Sequence, residues 1–218
     1  ASSSAVEGTL QLGAAATFTA SGTETHTLAG RLVLATTSIL NAASSTFIFN
    51  ATTTGKSITS PNTITFNTLQ FTGVGGGWNI TAPLIVNGNM DVATGTVTGT
   101  NNVTVSNGSL SGDGTLSFGS GTTTLQRTNI FGGSRAWTFA NLVLGNGSTV
   151  GTTTRSGTAT TTISGRLTIS PAHFLVTGSS GWDLSGTGSV FVESGTLLED
   201  TSTFRYSGAS SQVLSTTY

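Results

Sequence analysis

A chain of 218 residues with seven Lys and Arg, eight Asp and Glu and two His has a net charge of −1, and its charged residues make up 7% of the whole against about 25% in an ordinary soluble domain. That balance excludes the clustered basic footprint by which proteins displace counterions from nucleic acid or an anionic membrane, and zero Cys excludes disulfide scaffolding, thiolate metal sites and thiol catalysis. The 45 Thr, 30 Gly, eleven Phe and 35% hydrophobic residues predict an all-β chain with apolar surface enough to fold, in which helix is close to absent.

No apolar run approaches the roughly 18 residues of a spanning helix. The opening Ala1-Ser2-Ser3-Ser4 has neither the basic nor the apolar region of a signal peptide, and with no Met at its head the chain is expected to be processed or trimmed.

In chain order, the first signal is an apolar-x-Gly-x-apolar-x-apolar string. It occurs as Val6-Glu7-Gly8-Thr9-Leu10-Gln11-Leu12 and again as Leu28-Ala29-Gly30-Arg31-Leu32-Val33-Leu34. Alternation after the Gly marks a strand with one buried face, and the Gly permits a bend or close backbone approach just before it. Ile64-Thr65-Phe66 then carries a Thr-aromatic pair, and Gly73-Val74-Gly75-Gly76-Gly77 reads as a loop or bulge; with no Lys and no following helix it is no phosphate cradle. The first string returns at Val86-Asn87-Gly88-Asn89-Met90-Asp91-Val92 and at Ile163-Ser164-Gly165-Arg166-Leu167-Thr168-Ile169. A longer string, Leu110-Ser111-Gly112-Asp113-Gly114-Thr115-Leu116-Ser117-Phe118, reappears about 74 residues later as Leu184-Ser185-Gly186-Thr187-Gly188-Ser189-Val190-Phe191-Val192. The Thr-aromatic pair returns in Trp137-Thr138-Phe139 and in the terminal Thr216-Thr217-Tyr218.

These recurrences predict one β-solenoid over 1–218, with superperiods of roughly 75 residues and internal repeats at approximately 6–70, 84–142 and 163–218. Landmarks 20 to 30 residues apart within a superperiod correspond to single coils, here Gly88, Gly112 and Phe139, then Gly165, Gly186 and Tyr218. Parallel coils stack equivalent residues about 4.8 Å apart, so inward apolar and outward Thr and Asn ladders are both favourable while stacked like charges repel. Stacking thus gives the charge depletion a physical reason. The alternative is a row of antiparallel β-sandwich modules, which the same spacing also allows; a transmembrane barrel would need more aromatic girdle than two Tyr and three Trp supply.

The Leu-Ser-Gly-x-Gly strings and the Thr-rich strands between them resemble those of bacterial secreted β-helix surface proteins, such as autotransporter passengers and repeat adhesins. The resemblance covers most of the chain through short motifs. It implies a right-handed parallel β-helix on a cell surface, with no conserved catalytic residues.

Chemistry-bearing residues are few. Glu199-Asp200 are neighbours in sequence, and adjacent strand residues face opposite ways, so they are read as a turn. Asp91, Asp113 and Asp183 would form an acidic site only if they fell on one solenoid face. His26 and His173 have no ligand-spaced companions and are read as solvated or hydrogen-bonded side chains, while Ser111-Gly112-Asp113-Gly114 resembles a calcium repeat whose later copy has Thr187 in place of the acid. No Ser stands in a nucleophile elbow. Trp78, Trp137 and Trp182 are in phase with core positions, the alternative being sugar-stacking platforms. Sequons at Asn50, Asn79, Asn102, Asn107 and Asn146 follow from composition and matter only in a glycosylating host.

The expectation is therefore a protein that is not an enzyme and holds no catalytic, cofactor or metal site. Its expected role is as a structural component of an extracellular or cell-surface filament, surface layer or adhesin stalk, self-associating through terminal strand edges. Carbohydrate binding, or less readily polysaccharide cleavage, is the alternative, with surface glycans as partners. The third Thr-aromatic copy breaks off at Tyr218, from which we expect either a longer polypeptide or completion of the edge by another subunit.

Overall fold

The computed structural model describes residues 3–209 and, for the backbone, 212–216; Thr217 and Tyr218 lie outside the described residues. It is all-β and parallel, a solenoid of about 9 turns with a repeat of about 22 residues. The solenoid reading holds, and the antiparallel sandwich modules are excluded because every strand pairing among the described residues is parallel.

Each coil has three faces. The first is a ten-stranded sheet whose rungs begin at Ser4–Val6, Thr25–Leu28 and Thr46–Phe49, continue through Met90–Val92 and Asn129–Gly132, and end at His173–Val176 and Thr196–Leu198. Numbering coils 1 to 10 from these rungs, the second face begins at Leu10–Leu12 in coil 1, includes Gly77–Ile80 in coil 4, and ends at Thr203–Tyr206 in coil 10. The third face includes Ile64–Phe66, Leu84–Val86, Leu167–Ile169 and Gly188–Glu193. Two long strands, Thr115–Leu125 and Trp137–Leu144, run from the second face onto the third and join them into one 16-stranded sheet.

Register explains the interior. On the second face Trp78, Val97, Leu116, Trp137, Thr161 and Trp182 lie over one another, and beside them Ile80, Gly99, Phe118, Phe139, Ile163 and Leu184. Apolar residues alternate inward at period 2, and nearly all are buried. Aromatic rings also meet between coils: Phe49 stacks on Phe71 at 5.4 Å and Trp182 on Phe204 at 5.7 Å. Burial of each such ring stabilises the fold by about 1.5–3 kcal/mol. Since each coil touches chiefly its neighbours, that stability accumulates along one axis.

Corners explain the glycines. A Cβ on Gly30 would lie 1.8 Å from the Gly8 carbonyl oxygen, one on Gly186 2.2 Å from that of Gly165, and one on Gly133 1.8 Å from that of Gly112. Coils one strand spacing apart leave no room for a side chain where the backbone turns. The Gly-marked strand starts are found where expected, at Leu10, Leu32, Met90 and Leu167, each two residues after its Gly. The glycine stack gives a paired prediction. Gly30→Ala should destabilise by about 1–3 kcal/mol through overpacking, whereas Gly8→Ala, with nothing within 4 Å of its new Cβ, should be neutral or slightly stabilising; urea midpoints measure both.

The recurrent strings occupy different corners. Leu110 lies on the first face, under Phe131, whereas Leu184 lies on the second, over Ile163. Likewise Phe66 belongs to the third face and Phe139 to the second. A separation of 74 residues is three coils of about 22 plus roughly one further face, so a 75-residue recurrence moves round the coil as it climbs. The string is the chemistry of a corner, and the coil is the spatial repeat.

Candidate functional surface

Outside the core, alternate residues form polar ladders. Along the middle of the second face Ser57, Asn79, Thr98, Ser117, Thr138 and Thr162 lie in one column. Hydrogen bonds run up it, with Thr98 Oγ1 donating to the Trp78 carbonyl at 3.2 Å and facing Asn79 Oδ1 at 3.4 Å. At the next corner Asn102 Oδ1 accepts from the Thr122 N–H at 2.8 Å and Asn141 Oδ1 from the Arg166 N–H at 3.1 Å. These amides tie successive coils together without charge.

The acids do not share one face, although Asp91 and Asp113 lie close enough for their charges to interact. Glu199 and Asp200 are exposed in the bend after Thr196–Leu198. Asp91 faces outward on the first face and Asp113 sits at the following corner. Asp183 is on the second face, paired in register with Thr162. Burial, with the like charge of Asp113, raises the Asp91 carboxyl above its ordinary range. Asp113 is lowered by hydrogen bonds from Ser134, whose N–H donates to Oδ1 at 2.9 Å. Among the described residues no three of His, Cys, Asp or Glu gather as a metal-binding group, and no helix is long and apolar enough to cross a membrane.

Both histidines are interior groups and neither is solvated. His26 is buried between Phe18 and Phe47, at 5.1 and 5.0 Å, with its Nδ1 2.9 Å from Ser4 Oγ. His173 is fully buried with Nε2 2.9 Å from Thr153 Oγ1. Burial lowers both, for His26 against the opposing charge of Glu24. Each is thus protonated more readily in the unfolded chain. Stability is complete above the ordinary value of 6.5 and is lost as pH falls through it toward the lower folded values. Thermal melts should therefore be flat over the first pH units above neutrality and drop below about pH 6.5, with a shallower fall in His173→Gln.

Trp78, Trp137 and Trp182 are buried, each at or below 1% exposure. They are core residues, which removes the sugar-stacking platform on which the carbohydrate reading rested. Gly73–Gly77 wraps the first of them: a Cβ on Gly76 would strike the Trp78 ring at 2.6 Å and the Ala51 carbonyl at 2.0 Å. All five sequon asparagines are exposed.

One interior group had no signal in the apolar pattern. Arg155 is 4% exposed on the first face, in register over Phe131 with its guanidinium carbon 5.2 Å from that ring's centre. Nε donates to Thr161 Oγ1 at 3.2 Å, Nη2 to the Ala159 carbonyl at 2.8 Å, and Nη1 to the carbonyls of Phe131 and Ser156. Burial lowers its pKa to about 10, so it is still charged at neutral pH.

Fold and surface together define a parallel β-solenoid with sparsely charged, hydrogen-bonding faces. Comparison with protein families, with curated proteins and with solved structures finds no match.

Proposed function

We propose that the chain is a structural segment of an extracellular filament, surface layer or adhesin stalk, non-catalytic, whose role is to supply length and surface. The observation that carries this reading is the stack itself: about nine turns at about 4.8 Å each give a rod of roughly 43 Å, extended by adding coils without altering those in place. Outer ladders of Thr, Ser and Asn, closed by bonds such as Thr81 Oγ1 to Thr59 Oγ1 at 3.2 Å, support it too. They suit a surface that must tolerate changing salt, since little of its cohesion depends on screened charge. Strand addition at terminal coils would continue the same backbone ladders from one subunit to the next.

The test is antibody labelling of the cells that make the protein. Labelling of intact cells, removed by brief external protease, is the expected result. Labelling that requires permeabilised cells would overturn the extracellular role.

A further inference from the structure

The second face has a charge pattern that the proposed role does not use. From coil 3 to coil 8 its central column contains no residue larger than Asn and no charge, running from Ser57 to Thr162. Two positions to either side of each of these, the sequence has only Gly, Ala, Ser or Thr. Charge enters the column at its two ends, as Arg31 in coil 2, which precedes Leu32 as Ser57 precedes Leu32's register partner Ile58, and as Asp183 and Arg205 in coils 9 and 10. Arg31 and Arg205 are exposed and Asp183 is half-buried, accepting from Ser207 Oγ.

We propose that this face binds the same face of a second copy, antiparallel, with Arg31 of each chain opposite Asp183 of the other. A twofold axis midway between coils 5 and 6 carries coil 2 onto coil 9. Both ends of the column then meet their complements at once, and the contact closes at two copies. The parallel arrangement would set Arg31 on Arg31 and Asp183 on Asp183, a like-charge cost at each site. Small side chains let two sheets approach and interdigitate over the middle of the contact. Nine steps of about 4.8 Å by three outward columns about 7 Å apart, roughly 14 Å across, give on the order of 600 Å² per copy, approaching the roughly 800 Å² per partner of a standard interface. A central column without charge, flanked in coil 3 by Lys56, offers little to a strongly charged partner.

Sedimentation velocity over a concentration series, on the full chain, tests the pairing. The expected result is a species of twice the chain mass. Asp183→Arg should reduce it to the monomer, Arg31→Asp should do the same, and the two together should restore the dimer. Thr98→Lys, at the centre beside the axis, should also yield monomer, with the far-ultraviolet circular dichroism of a folded chain retained in every variant. A wild-type monomer at all concentrations would overturn the proposal. So would a charge reversal that leaves the dimer intact, or a double variant that fails to recover it. Retention of wild-type monomer on insoluble cellulose or chitin, abolished by Thr98→Lys, would assign the face to a polysaccharide instead and overturn it likewise.

Discussion

Trp137→Ala is expected to lower the free energy of unfolding by about 3–5 kcal/mol, the range for removing a fully buried large aromatic. The indole is 0% exposed and packs on Phe131 at 5.7 Å and Phe139 at 6.5 Å. Its Nε1–H donates to the Gly114 carbonyl at 2.9 Å, so truncation empties a cavity and also strips a buried acceptor. Trp137→Phe keeps most of the ring and loses the hydrogen bond, for which roughly 1–2 kcal/mol is expected. The damage should be local because coils communicate through their neighbours. Leu116 and Thr161 flank Trp137 in the same column, and hydrogen exchange should rise first in their strands. Urea unfolding of the two variants measures the totals, and equal losses would show that the ring itself contributes little.

Much of this architecture was legible because a stacked coil imposes few demands and repeats them. The strand starts at Leu10, Leu32, Met90 and Leu167 were readable, since a corner Gly followed by period-2 alternation is required wherever two coils turn together. Which corner each string served was not readable. All three corners solve the same steric problem, so the same local sequence fits any of them, and only backbone pairing separates Leu110 from Leu184. The three tryptophans are legible as core residues because they are in phase with the buried positions around them. The histidines were half legible: their lack of ligand-spaced companions was visible, but Ser4 and Thr153 come from neighbouring coils, 22 and 20 residues away.

The segment missing from the sequence-based repeats, between 142 and 163, shows the limit of apolar periodicity. It holds the strand Gly151–Arg155, where Gly151, Thr153 and Arg155 alternate inward and are all buried. An alternation of inward polar residues with outward Thr leaves no contrast for a hydropathy pattern to detect. Only the third dimension supplies their partners. Thr153 meets His173 from the next coil, and Arg155 meets the Phe131 ring from the previous one.

Arg155 is accordingly the residue whose replacement should have the most specific effect. Arg155→Met retains a long stem but leaves four acceptors, those of Phe131, Ser156, Ala159 and Thr161, without their donor. Relief from burying a cation offsets part of that loss, and a net cost of roughly 2–4 kcal/mol is expected. Arg155→Lys should recover little, because a single ammonium cannot span acceptors placed for a planar fork. The fold has also made room for this group: a Cβ on Gly132, whose φ is +107°, would lie 1.6 Å from Arg155 Nη1. Gly132→Ala should therefore displace the guanidinium and produce the same local signature from the opposite side. That signature is faster hydrogen exchange over residues 156–160, the loop whose carbonyls the guanidinium gathers, and it should appear in all three variants. If the loop kept its protection in Arg155→Met while global stability rose, the guanidinium would be a burden on this core, and its hydrogen bonds would not be what holds the corner.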